Sequence, residues 1–454
     1  RPDFCWRIRR ATTSCMFPPL SYARKPITIR RLQFFSRAAG LVLLTGLSAI
    51  GAAQINADGA NESPDAAALL RNRQFPAAVA AYRRILRREP HNEKAELGLA
   101  AAYYGLYNYD QTRRVLREAA TQHPKSAAAL VELGKLDIHL LHYDDAIVEL
   151  KRAVQRDPAS AAAHEQLGVA YQAKGDGDKA LPEFNEAIRL APGVASSRYF
   201  RGSLYADRDD DVHAYDDAKA AYRLEPNAQT RELLGKVALH ANKCGESVEV
   251  LQPLAAAQDV NPEDLYLLSR ACKCAGEAQR AQELQQEYEK RSQAEQDAKT
   301  RKMHADHLAT DAGELARKNQ LASALAELDQ ALAEDPQNGP SLALLAKIDF
   351  SRGDVARAQE EIAKALRGDP YNPDYLYVRG KVLENSDPAA ALEAFQQVVL
   401  VNPKESDAYY EMGEVYARMG DRRRAAEALR RAVALSPDDP DYKKALAELN
   451  ARIP

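Results

Sequence analysis

Between residues 59 and 437 the apolar residues gather in short stretches, each with the i, i+3, i+4 spacing of a helix that buries one face. Two such stretches lie between successive prolines of a regular series. Pro90, Pro124, Pro158, Pro192 and Pro226 each follow the last by 34 residues. The series resumes at Pro336, Pro370, Pro403 and Pro437, in steps of 34, 33 and 34. The 110 residues from Pro226 to Pro336 hold three such steps and eight residues more, so two less regular units fill the gap before the unit ending at Pro336. Eleven helix pairs are predicted, every one too small to bury its own apolar face, so the pairs must stack.

With the proline as position 32 of each unit, position 8 reads Ala66, Ala100, Gly134, Gly168, Gly202, Gly235, Ser269, Ala312, Ala346, Gly380 and Gly413. Position 20 is Ala in nine of the eleven units, the exceptions being Thr112 and Ser247. Position 24 is usually large, as at Leu150, Phe184 and Phe395. Small residues at 8 and 20 let two antiparallel helices approach, and the large residue at 24 fills the space beside them. Gly or Asn marks the turn between helices, as in Lys174-Gly-Asp-Gly-Asp178. The proline stops the second helix, because it lacks a donor and disfavours helix in the residue before it.

This pattern resembles the tetratricopeptide repeat (TPR) family. Leu167-Gly168…Tyr171…Ala180…Phe184…Ala187…Pro192 carries the likeness most fully, with Met412-Gly413…Tyr416…Gly420…Ala425…Leu429…Ala432…Pro437 close behind. The likeness covers about 59–437. It implies an all-α solenoid, a right-handed superhelix of about eleven units, with the first helix of each unit on the concave face.

The period is interrupted once. From Glu277 to Ala312 there is neither Gly nor Pro, and 289–302 is almost wholly polar. Good helix formers there predict a charged linker helix over 289–304, between a first block of about seven units (59–288) and a second of about four (305–437). The amphipathic residues within 438–454 read as a C-terminal capping helix.

Composition narrows the function. Apolar residues make up 46% and charged residues 28% of 454 residues, which excludes bulk disorder. Residues 1–37 carry nine Lys or Arg and one acid, a charge of +8. The formal total of −3 leaves −11 for the remainder, which argues against nucleic acid as a partner. Arg30, Arg31 and Arg37 precede an uncharged apolar run, 38–53, that is short for a membrane span. Basic residues, a short apolar run and small residues at Gly51 and Ala53 read as a signal peptide within 16–53, with Gln54 the first mature residue. The other reading is an uncleaved anchor in the inner membrane, the only membrane contact expected. Residues 1–15 read as untranslated or disordered sequence, since Met16 is the first methionine. The expected location is periplasmic or secreted.

No phosphate loop, metalloprotease motif or serine-nucleophile motif is present, and the repeats leave no room for a catalytic domain. A non-enzymatic scaffold without cofactor is therefore expected. His139 with His142, and His304 with His307, have helical spacing but supply two ligands where a metal site needs more, so no metal is assigned. Cys244 falls at the inter-helix turn of unit six, and Cys272 and Cys274 fall late in the first helix of unit seven. In an oxidising compartment a bridge from Cys244 to Cys274 or Cys272 is expected, leaving one thiol over.

The resemblance implies a binding groove along positions 2, 5, 9 and 12. Position 5 offers Tyr199, Tyr266, Tyr377 and Tyr410. Position 9 offers Lys135, Lys236, Lys347, Lys381 and Arg270. Position 12 offers Tyr104 and Phe350. Tyrosines give rigid amphipathic contacts and the cations attract carboxylates, so an extended peptide with acidic groups or a free C-terminus is the expected occupant. The expected function is a scaffold for protein segments in a bacterial cell envelope. The alternative is a structural subunit of a secretion, pilus or polysaccharide-export assembly, working through its convex face or ends.

Overall fold

The computed structural model of the chain describes residues 65–256 and 260–451. Among the described residues there are 22 helices and no strand. They pair in chain order: α1 (Ala66–Arg71) with α2 (Phe75–Arg88), α3 (Glu93–Gly105) with α4 (Tyr109–Gln122), α5 (Ala128–His139) with α6 (Tyr143–Arg156), and α7 (Ala161–Lys174) with α8 (Gly177–Leu190). Then come α9 (Ala195–Asp207) with α10 (Asp211–Leu224), α11 (Ala228–His240) with α12 (Cys244–Ala255), and α13 (Pro262–Cys274) with the start of α14 (Ala278–Arg317). The end of α14 pairs with α15 (Leu321–Glu334). The series closes with α16 (Gly339–Ser351) and α17 (Val355–Gly368), α18 (Pro373–Leu383) and α19 (Pro388–Val401), α20 (Ser406–Arg418) and α21 (Arg422–Leu435), and finally α22 (Pro440–Ala451). Residues 1–15, read above as untranslated or disordered sequence, and 16–53, read as leader or anchor, lie outside the described residues. No described helix is long and apolar enough to cross a membrane.

The helices begin and end where local chemistry requires. Asn92, Ser160, Asn227, Asn338 and Asn372 each accept a backbone N–H at the start of a first helix, satisfying a donor that the helix leaves unpaired. The first helix is followed by one left-handed residue at position 15. Gly175, Gly276, Gly353 and Gly420 take φ of 82° to 90° there, and Asp209, Asn242 and Asn319 take 58° to 60°. The second helix ends on an extended residue just before the proline. Glu89, Asp157, Glu225 and Asp369 have φ between −130° and −145°, the conformation a following proline favours. The one 33-residue step falls in the α18–α19 unit, whose shortened turn contains no left-handed residue.

Packing explains the small positions. A Cβ placed on Gly134 would come within 2.3 Å of Leu150, and one on Gly168 within 2.6 Å of Phe184. Gly235 against Leu251, Gly380 against Phe395 and Gly413 against Leu429 repeat the contact at 2.4, 2.5 and 2.6 Å. In each case the glycine at 8 makes room for the large residue at 24. Leu150, Phe184, Leu251 and Phe395 are fully buried, each worth about 1.5–3 kcal/mol relative to exposure. Where position 20 is not Ala, its hydroxyl turns inward. Ser247 donates to the Gly235 carbonyl at 2.7 Å, and Thr112 donates to the Asn108 carbonyl at 2.9 Å. Ser269, at position 8, donates to the Ala281 carbonyl at 2.8 Å. Buried hydroxyls are thus satisfied at the closest helix approach.

α14 departs from the pattern. It is a single helix of 40 residues, about 60 Å long. Its first part supplies the second helix of unit seven and its last part the first helix of unit eight. Ala281 packs on the Leu251–Leu268 core, whereas Ala312 packs on the Leu328–Leu345 core. No residue from 282 to 304 is buried. That stretch lacks the proline that ends other second helices, so nothing breaks it. Side-chain bonds one turn apart support it, as Gln285 to Glu289 at 2.8 Å and Arg291 to Glu287 at 2.6 Å.

The chain divides at Asp297 and Ala298 into two compact units. In each, first helices of successive pairs pack on one another, as α5 on α7, α11 on α13 and α16 on α18. No two successive second helices pack to a comparable degree among the described residues. The first helices therefore line the tighter, inner side of each unit.

Candidate functional site

The inner side of residues 65–297 carries six of the expected groove residues. Tyr104, on α3, lies edge-on to His139 at 5.4 Å and tilted to Tyr109 at 5.7 Å. The Tyr109 hydroxyl is 3.3 Å from His139 Nε2. Burial raises the Tyr104 hydroxyl pKa and lowers that of His139, so the cluster favours neutral rings. Lys135, on α5, is buried, with Nζ donating to Glu132 at 2.8 Å. The two, with Leu97, Tyr104 and Leu136, border a small cleft between α3 and α5.

Tyr199, on α9, packs edge-on against Phe200 at 5.3 Å and beside two core clusters. Burial first, then the charges of Glu232 and Asp207, push its pKa up to about 12. Lys236, on α11, is half-buried. Tyr266, on α13, is the openly exposed member of the tyrosine row. Its ring meets Tyr288 at 5.2 Å and the Arg270 guanidinium at 5.9 Å. Here an aromatic pair and an exposed cation share one surface.

The inner side of residues 298–451 carries the other five. Lys347, on α16, is half-buried, and burial lowers its pKa against a smaller opposing pull from Asp374. Phe350 packs at the edge of the Leu342–Ile362 core. Tyr377, on α18, donates to Glu411 at 3.1 Å, and its ring meets Phe395 at 5.6 Å. Lys381 donates to Glu384 at 2.8 Å and to Glu411 at 2.9 Å. Tyr410, on α20, stacks on Tyr442 of α22 at 5.0 Å. Burial, then Glu414, Glu411 and other acids, push its pKa up to about 12.

Two expectations need correction. Lys135 and Lys381 were expected to attract a ligand's carboxylates, but each holds carboxylates of its own chain. The reason is burial: an ammonium drawn out of water must be paired. Likewise Tyr199 and Tyr377 are largely packed into cores, because position 5 faces the next first helix as much as the groove. Sequence reasoning also missed Glu132, Glu384 and Glu411, the partners of those lysines, and the Asp residues at position 2. Position 2 is Asp306, Asp374, Asp407 and Asp441 in units eight, ten and eleven and the capping helix, with Pro340 between the first two and Glu263 in unit seven.

The cysteines lie where α12 begins and α13 ends. Cys244 and Cys274 are joined in a disulfide with Cα atoms 5.5 Å apart, within the usual span. Cys272 is a free, buried thiol in the Leu251–Leu268 core, and burial raises its pKa.

Among known proteins, the family described as Tetratricopeptide repeat matches residues 69–130, 315–382 and 382–449. A second description, TPR repeat, matches 142–175, and a further Tetratricopeptide repeat family matches 166–230. No curated protein matches the chain. Among solved structures, that of MamA is 23% identical, covering 37% of this chain and 97% of that one, with a TM-score of 0.31. That of TTC0263, a thermophilic TPR protein in Thermus thermophilus, is 26% identical, covering 40% of this chain and 98% of that one, with a TM-score of 0.33. The helix pairs, their period and the family matches together make this chain a member of the tetratricopeptide repeat family, an all-α solenoid of a class that serves as a scaffold for protein–protein interaction.

Proposed function

We propose that the chain is an exported, non-enzymatic scaffold that holds extended protein segments along the inner, first-helix side of its units, in a bacterial cell envelope. The observation that carries the reading is the placement of Tyr266 with Arg270, and of Tyr410 stacked on the buried Tyr442, on first helices with part of the Tyr266 and Tyr410 rings unburied. Tyrosine at such positions offers contact area at small entropic cost. The Cys244–Cys274 bridge supports export, since such bonds persist in oxidising compartments. The basic and apolar pattern of 24–53 supports it as well.

A direct test is capture from envelope extract by residues 54–454, beside a variant with Tyr266→Ala and Arg270→Ala. Partners held by the parent and lost by the variant support the groove. Equal retention, with unchanged melting, moves the interface elsewhere. A second reading rests on α21, whose outer side exposes Arg422, Arg423, Arg424, Arg430 and Arg431. A basic second helix suits docking of an acidic partner on the convex side, as a structural subunit would use.

A further inference from the structure

The Cys244–Cys274 bridge lies outside the core that it spans. Between α12 and α13 the apolar boundary is filled by Val248, Leu251, Leu268, Ala271 and Cys272. Cys274 is exposed and Cys244 is half-buried. The bond can therefore open while the core stays closed, and access is one of the factors that set the rate of thiol–disulfide exchange.

The two sulfurs are not equivalent. Cys244 is the first residue of α12, and the residue before it, Lys243, makes no side-chain cap. The N–H groups of a helix start favour a thiolate, and so does the adjacent ammonium, which lies 3.4 Å from the centre of the Tyr215 ring. Glu246 in the same turn opposes them, but Lys219 answers its charge at 2.9 Å. Cys274 is the last residue of α13, where free carbonyls disfavour a thiolate and Lys273 offsets them only in part. Glu277, beyond the turn, is held by Arg280 at 2.9 Å. The Asn242 carboxamide oxygen stands 3.5 Å from both sulfurs, so a hydrogen-bonding side chain already faces the bond. Cys244 is thus the better leaving group and Cys274 the open point of attack.

Cys272 takes no part. It is fully buried, and at two residues' separation it projects from the opposite side of α13 to Cys274. The thiol that can return to Cys274 is Cys244, with Cα atoms 5.5 Å apart.

We propose that Cys274 is a thiol-exchange site. The thiolate of a small thiol, or of a partner protein's cysteine, attacks the Cys274 sulfur. A mixed disulfide forms as the Cys244–Cys274 bond breaks, and Cys244 leaves with the electron pair as a thiolate. One disulfide replaces another, so no oxidant or reductant is consumed. Return attack by Cys244 on Cys274 restores the bridge and releases the thiol. The site needs no occupant on the inner side, so it stands or falls apart from the groove reading.

The test uses the full chain with the bridge formed, in native buffer, with reduced glutathione as the probe. Acid quenching, alkylation and peptide mapping read each cysteine separately. Glutathione is expected on Cys274, with Cys244 alkylated as the released thiol, at a rate within tenfold of that in the urea-unfolded chain. Cys272 should take up neither glutathione nor alkylating agent over that time. Cys244→Ser, treated with oxidised glutathione, should hold the adduct on Cys274, because no returning thiol is left. The same variant isolated from cells without reductant separates the two sources. A small thiol leaves a chain-sized species with added mass on the Cys274 peptide, and a protein thiol leaves a larger band that reductant removes. Opening of the native bridge only as fast as Cys272 becomes alkylated overturns the proposal. So does an adduct found chiefly on Cys244, or an unmodified Cys274 in the variant from cells.

Discussion

At the scale of single residues, the fold rests on a few positions where only certain side chains fit. Gly168 faces Phe184 so closely that a methyl group must displace the ring. Gly168→Ala should cost about 1–3 kcal/mol in urea unfolding, the usual cost of overpacking. Position 15 makes the opposite demand, a left-handed backbone in open space. Gly175 meets it without strain, but Tyr107 and Leu141 meet it with φ of 58° and 62° while about two-thirds exposed. Left-handed geometry costs a branched or bulky residue about 1–2 kcal/mol. Leu141→Asn should therefore raise the unfolding midpoint, and a lowered midpoint would show that the exposed side chain has a stabilising contact. Lys347 gives a prediction in pH. Its folded pKa lies below 10.5, so the unfolded chain binds more protons in that window and stability rises with pH across it. Lys347→Met should stabilise the protein at pH 7 and remove that alkaline rise in melting temperature.

At the scale of elements, sequence and structure agree best where a rule of backbone chemistry repeats. The proline at 32, the turn at 15 and the small residues at 8 and 20 each leave a mark at a fixed spacing. That is why the helix pairs can be read from the chain. The long helix was legible for a related reason, since 277–312 lacks every residue that stops a helix. Its full extent was less so, because the ends of α14 depend on which alanines find a core. No residue from 282 to 304 is fully buried, and beyond Leu284, which still packs at the edge of the Leu251–Leu268 core, the polar stretch 289–302 should exchange its amides with deuterium well ahead of those flanking Ala281 and Ala312. Equal protection throughout would mean the exposed stretch is covered by a partner or a second copy. The lysine pairs were not legible. Lys381 and Glu411 stand 30 residues apart on different helices, and only the packing of α18 on α20 brings them within 2.9 Å. Lys381→Met should cost about 3–5 kcal/mol by stranding the buried Glu411, Glu384 keeping Arg418 at 3.6 Å, with much of it regained on adding Glu411→Gln.

At the scale of the whole molecule, each unit is a stack whose first helices face inward, and the function proposed follows from what those helices present. The disulfide belongs to this scale because it ties unit six to unit seven across a separation of 30 residues. Its reduction should lower stability by about 3–4 kcal/mol in the chain-entropy view. Mass mapping without reductant, on protein taken from the envelope, should recover a Cys244–Cys274 peptide pair and Cys272 as a free thiol. The central claim is that partners bind the inner side. The most direct measurement places a photo-reactive residue, one variant at a time, at Tyr266 and Tyr410 on the inner side and at Arg423 on the outer side, in cells making the full chain. Adducts at 266 and 410, with none at 423, are the predicted result. Adducts confined to 423 would contradict the account and move recognition to the convex side.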